Sequence, residues 1–152
     1  MCIRDSYINT DISYSYANGV VTASYGTATP KPLDDVLFTQ ADADADEIPD
    51  DKAVGDIKQY GLKGLEIAKI KAQAGGLLAP TDWYVIRYQE DNTKTIPTDV
   101  ATYRNNVRAK SDEMESQINA CGTVEDLKTL FTWTEDEQGN ITRPLVSFPE
   151  VI

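Results

Sequence analysis

Asp42, Asp44, Asp46 and Asp50 fall within the ten-residue stretch "DADADEIPDD". Alternating carboxylates in a short loop are the chemistry of calcium, a hard cation that takes six to eight oxygen ligands. Two positions depart from that pattern. Glu47 stands where a calcium loop needs glycine for its sharp turn, and Ala53 stands where an EF-hand places its bidentate glutamate. The favoured reading is therefore a solvated acidic loop, with a calcium-binding module as an alternative.

The other groups with chemical potential read as structural. The chain has no histidine, which removes Ser-His-Asp and Cys-His catalysis together with the commonest zinc ligand. Cys2 and Cys121 are far apart and form neither a metal knuckle nor a disulfide framework, so a reducing compartment is the default. Asp34-Asp35 and Glu113 with Glu115 are carboxylate pairs that chance supplies in so acidic a chain, and none is singled out for acid–base work. Gly75-Gly76 lacks the Gly-Lys-Ser/Thr continuation of a phosphate loop. No catalytic residue, cofactor or enzymatic activity is assigned. Arg104 and Arg108, four residues apart beside Tyr103 and Val107, share a helical face. They read as partners of acids such as Asp82, Glu90 or Asp112, or as a recognition surface.

Charge narrows the choice of partners. Fourteen basic and 25 acidic residues give a net charge of −11, which disfavours a phosphate backbone as partner. No apolar run approaches the roughly 18–20 residues that span a bilayer. Nucleic acid and membrane are therefore set aside as partners.

The elements that would position these groups give an α+β chain: an N-terminal β-hairpin, a central bundle of three or four helices, and a short extended or hairpin C-terminus. "MCIRDS", residues 1–6, looks like a translated sequencing-adapter remnant of the kind found at the ends of metagenomic assemblies, so Cys2 is not expected to be native. Residues 7–30 hold a hairpin turning at Asn18-Gly19, the preferred pair for a tight turn. A two-stranded ribbon is marginal alone, so this one is expected to lean on another element. Residues 31–53 form the acidic loop or linker, 54–131 the helical domain, and 132–152 the extended tail. In the helical domain, residues 56–76 read as a helix with a stripe of Leu62, Leu65, Ala68 and Ala72, widened by Ile67, Ile70 and Ala74 and stopped at Gly75-Gly76. A second helix starts at Thr81 or Asp82 and runs through "WYVIRYQED". Thr98 caps a third, with Val100, Tyr103, Val107, Met114, Ile118 and Cys121 on its apolar face. Thr123 and Asp126 form a capping box for a short fourth.

"LLAPTDWYVIR", the following "IP" and "VATYRNNVRAK" then fall into a recognisable order. A Leu-Leu pair, Thr-Asp-Trp, a linker and a Tyr-Arg-x-x-x-Arg helix resemble tailed-phage tail assembly chaperones and related tail-fibre assembly proteins. Leu77, Leu78, Thr81, Asp82, Trp83, Tyr103, Arg104 and Arg108 carry the match, which spans Leu77–Arg108. The hairpin, the acidic tract and the C-terminal tail lie outside it. The resemblance implies a non-enzymatic phage accessory that binds tail or tail-fibre proteins in the host cytoplasm during virion assembly, or a tail component retained in the particle. Trp83 with Leu77 and Leu78 is expected to close the core where the first helix turns back. If it does, Trp83→Ala costs about 3–5 kcal/mol.

Overall fold

The computed structural model describes residues 7–8 and 12–152; the adapter-like segment and Cys2 lie outside the described residues. The chain is α+β, with a hairpin region first, helices in the centre and short strands near the end.

Strands β1 (Tyr7–Ile8) and β4 (Thr29–Pro30) pair at the base of a longer hairpin, β2 (Ile12–Ala17) with β3 (Val20–Tyr25). Asn18 and Gly19 take φ of 51° and 80°, the two left-handed positions that a type I′ turn requires. The register from Ile12↔Tyr25 to Ala17↔Val20 is unbroken. Every residue of β2 and β3 is exposed, so this hairpin does not lean on another element as expected. β1 sits closer to the body: the Tyr7 hydroxyl donates to the Glu125 carboxylate.

The acidic tract is more ordered than a solvated loop. β5 (Val36–Leu37) pairs antiparallel with β6 (Ile57–Gln59), and a one-turn helix α1 (Gln40–Asp44) begins inside the tract. Thr39 and Asp42 make a reciprocal capping box, a nucleating signal that the acid-rich composition obscures. Lys58 on β6 pairs with Asp42 and, at 3.6 Å, with Glu47, drawing the tract back onto the strand.

Helix α2 (Leu62–Leu78) starts later and ends later than its sequence pattern indicates. Residues 57–59 are strand, and Gly75-Gly76 lies inside the helix instead of stopping it. Ala74 just before those glycines and Leu77 and Leu78 just beyond them face the core, and their burial outweighs the ~1 kcal/mol cost of each helical glycine. The buried stripe is Leu62, Glu66, Ile70 and Ala74, whereas Leu65, Ala68 and Ala72 are exposed. A strict step of four selected the face, and it brings in Glu66, which is bound by Lys69 at 2.7 Å.

A 3-10 turn at Ala79–Thr81 leads into α3 (Asp82–Glu90), the helix expected here. Helix α4 (Thr98–Asn119) packs along α2. Leu62 and Ile70 share a cluster with Met114 and Ile118, while Ala74 packs with Tyr103 and Val107, so the two helices run antiparallel. Lys71 and Glu115 pair across them at 3.1 Å. Pro97, not Thr98, occupies the cap of α4; Thr98 is its first helical residue. Helix α5 (Val124–Phe131) carries the capping box of Thr123 and Asp126 as read from the sequence.

β7 (Thr134–Glu135) and β8 (Ile141–Thr142) form a second hairpin turning through Gly139. The following tail is extended and docked. Leu145 is buried in the main core, its N–H donating to the Leu130 carbonyl at 3.0 Å. Gln117 grips the tail from both directions: its amide donates to the Pro144 carbonyl at 3.2 Å and accepts from the Val146 N–H at 3.1 Å.

Candidate functional site

The stretch from Leu77 to Arg108 folds into one corner, where α2 passes through the 3-10 turn into α3 and α4 braces the inside. The end of a helix leaves carbonyls without intrahelical donors. Here Arg104 supplies them. One guanidinium nitrogen donates to the Leu78 carbonyl at 3.0 Å and to Thr81 Oγ1 at 2.6 Å, and the other pairs with Asp82 at 2.8 Å. Thr81 Oγ1 in turn donates to the Leu78 carbonyl at 2.8 Å. The Tyr103 hydroxyl approaches the Leu77 carbonyl at 3.4 Å. Arg104 is only 7% exposed, so these bonds form in a water-poor setting where a missing partner is costly. A cation at a helix C-terminus also complements the helix dipole.

Five of the residues singled out from sequence thus make direct bonds at one point: Leu77, Leu78 and Thr81 on the α2 side, Tyr103 and Arg104 on α4. Asp82 joins through its ion pair. Thr81 does not cap α3 with its side chain; its hydroxyl is engaged by Leu78 and Arg104. Arg108 lies exposed one turn beyond Arg104 and joins no ion pair among the described residues.

Trp83 is the main correction. It is 49% exposed and does not close the core. The space inside the corner is occupied by Tyr103 and Arg104, both buried, and the direction of α3 turns Trp83 outward. On that outer face Trp83 and Tyr84 stack with ring centroids 3.8 Å apart. Arg87 lies over both rings, at 4.8 Å from Trp83 and 5.3 Å from Tyr84, and its guanidinium reaches the Thr95 carbonyl at 3.4 Å. Ile86 and Tyr88 extend the exposed apolar surface. Arg87 was not singled out from sequence, although its spacing of three and four from Tyr84 and Trp83 is the signal for such a cluster.

Two clefts flank the corner. One, of about 320 Å³, is lined by Pro80, Thr81, Trp83, Tyr84, Asp99, Val100 and Ile152. The other, of about 360 Å³, is lined by Gln73, Gly76, Leu77, Arg143 and Phe148. Arg143 also stacks on Trp133 at 4.8 Å.

Several carboxylates are tuned by structural contacts. Asp42 is held well below the carboxylate range, chiefly by Lys58 and then by Thr39. Asp126 is lowered by Thr123 and Gly122, Asp136 by Asn140, Asp91 by Thr93 and Glu125 by Tyr7. Each is a capping, turn or tethering contact, and none is a carboxyl raised to act as an acid. Burial pushes the Cys121 thiol up, away from the thiolate a nucleophile needs.

The aspartates considered for calcium do not converge. Asp42 is committed to Thr39 and Lys58, and Asp44 accepts from Gln40 at 2.9 Å. Among the described residues, no group of three or more His, Cys, Asp or Glu side chains is placed to hold a metal ion. Also among the described residues, no helix is long and apolar enough to cross a membrane.

Comparison with protein-family models, curated proteins and solved structures finds no match for this chain.

Proposed function

We propose that this chain is a non-enzymatic accessory of tailed-phage assembly that binds a tail or tail-fibre protein through the outer face of α3. The observation that carries this reading is the contrast between the two sides of the corner. Arg104, Thr81 and Leu78 lock the inside, while Trp83, Ile86 and Tyr88 are exposed on the outside, with half-buried Tyr84 and Arg87 against Trp83. Aromatic residues and arginine are enriched at protein interfaces, and binding energy concentrates in a few such anchors. Arg87 laid over Trp83 and Tyr84 restricts their rotamers before contact, which reduces the ordering cost of association. The resemblance of Leu77–Arg108 to tail assembly chaperones supplies the class of partner.

The test is co-expression with the tail and tail-fibre proteins encoded beside the gene, followed by calorimetry on any complex. Trp83→Ala is expected to weaken binding at least tenfold, equivalent to ~1.4 kcal/mol, while leaving the melting midpoint nearly unchanged. Failure to bind any of these proteins, or equal affinity of wild type and variant, would refute the proposal. Mass spectrometry of virions separates an assembly factor, absent from the particle, from a tail component present at fixed stoichiometry.

A further inference from the structure

The cleft beside Trp83 is shared with the chain's own tail. Val100 and Thr81, both buried, line its protected side, Trp83 and Tyr84 come from α3, and Ile152 from the tail completes the lining. The course of the tail brings Ile152 there. Gln117 holds Val146, Leu145 is buried in the main core, and Phe148 packs against both core clusters. The four residues from Phe148 to Ile152 reach at most ~14 Å, so Ile152 stays near the cleft even when it is not seated.

Beyond Phe148 the hold weakens. Pro149 is half-buried, whereas Glu150, Val151 and Ile152 are exposed, Ile152 by 62%. Among the described residues, none of these three makes a hydrogen bond or an ion pair. Asp99 lines the same cleft, and Glu150 on the tail offers it no counter-charge. The seat of the tail therefore rests on aliphatic contact alone, and such a segment opens at little cost.

We infer that Val151 and Ile152 form a displaceable strap on this cleft, and that a partner docking on α3 evicts it. The inference rests on the reading of α3 as the partner surface. Trp83 is common to the exposed face and the cleft, so a partner segment laid against it meets Ile152. A volume of about 320 Å³ is small for a ligand pocket and suits one or two side chains. The group that replaces Ile152 is of its own kind, an aliphatic side chain on an extended segment of the partner. The tail thus lowers apparent affinity by the fraction of chains in which it is seated.

The experiment compares the wild type with Val151→Ser/Ile152→Ser, which keeps the charge and removes the apolar strap. NMR of the free wild type should show nuclear Overhauser contacts from the Ile152 methyls to Trp83 or Val100. The double variant should shift the Trp83 indole and Val100 methyl signals, with a melting curve that matches wild type. A tail or tail-fibre protein should bind the variant about three- to tenfold more tightly, and the Ile152 contacts should vanish in the wild-type complex. Three results overturn the inference and leave α3 as the partner surface: no such contacts in the free chain, contacts that persist in the complex, or equal affinity of the two proteins. Contacts in the free chain with no tail or tail-fibre protein bound by either protein would instead overturn the partner reading, and the competition with it.

Discussion

Arg104 donates to Thr81 Oγ1 at 2.6 Å, joining the second turn of α4 to the 3-10 turn that follows α2 across 23 residues of chain. The same guanidinium holds the Leu78 carbonyl and Asp82, so one side chain fixes where α2 ends and the direction in which α3 leaves. Replacing it with methionine keeps much of the volume and leaves the buried acceptors without a donor. Arg104→Met is expected to cost about 2–3 kcal/mol in urea denaturation. Asp82→Asn should cost under ~1 kcal/mol, because the Asp82 side chain is 55% exposed. Equal costs for the two variants would mean that the ion pair, and not the buried bonds, carries the corner.

Trp83 offers the opposite case. With half its surface in water it gives up little on truncation, and Trp83→Ala should lower stability by about 1 kcal/mol or less. Leu145→Ala, at a fully buried position, should cost about 2–5 kcal/mol. Thermal melts of both variants rank the positions. A larger loss at Trp83 than at Leu145 would restore the tryptophan to the core.

Two glycines should respond with opposite signs. A Cβ on Gly75 meets nothing within 4 Å, and the residue is helical, so Gly75→Ala should stabilise by roughly 0.5–1 kcal/mol. A Cβ on Gly61 would lie 2.3 Å from the Asp34 carbonyl carbon, a backbone atom that cannot rotate away. The φ of −77° at Gly61 is open to alanine, so the penalty is steric; Gly61→Ala should cost about 1–3 kcal/mol. Denaturant midpoints decide both, and a destabilised Gly75→Ala would indicate that α2 stops at the glycines after all.

Acid should weaken the start of α5. The Asp126 carboxyl is held below its ordinary value by the Thr123 hydroxyl and then by the Gly122 N–H. A carboxyl with a lowered folded-state pKa stabilises fully above its unfolded value, about 3.9, and loses that contribution as pH falls through the folded value. Wild-type stability should therefore fall as pH drops below about 4. Asp126→Asn should be less stable at neutral pH and show a shallower fall. Parallel pH profiles would remove Asp126 from the account. Thr123→Ala, which deletes the hydroxyl partner, should cost about 1 kcal/mol at neutral pH.

Much of the fold was legible because its signals are local. Asn18-Gly19 turns a hairpin through its own backbone preferences, and Thr123 with Asp126 starts a helix through bonds three residues apart. The periodicity of Val100, Tyr103, Val107, Met114 and Ile118 marked the buried face of α4 for the same reason. Where the chain had to choose between local and distant partners, local signals failed. Gly75-Gly76 reads as a stop, yet packing of Ala74, Leu77 and Leu78 against α4 carries the helix onward. The acids of residues 42–51 read as solvated loop, yet Thr39 and Lys58 order their first turn.

Local residue patterns thus sufficed for the α+β class, the helical centre and the grouping of Leu77–Arg108 around one turn. Which side chain stands inside that turn depended on packing between distant segments. Tryptophan is the larger apolar residue and the natural choice from composition. The end of α2, however, presents carbonyls that need donors, and a buried hydrogen-bonding vacancy is more costly than a half-exposed indole. Arginine therefore took the interior and Trp83 the surface, a choice set by the geometry of a helix end that no residue spacing records.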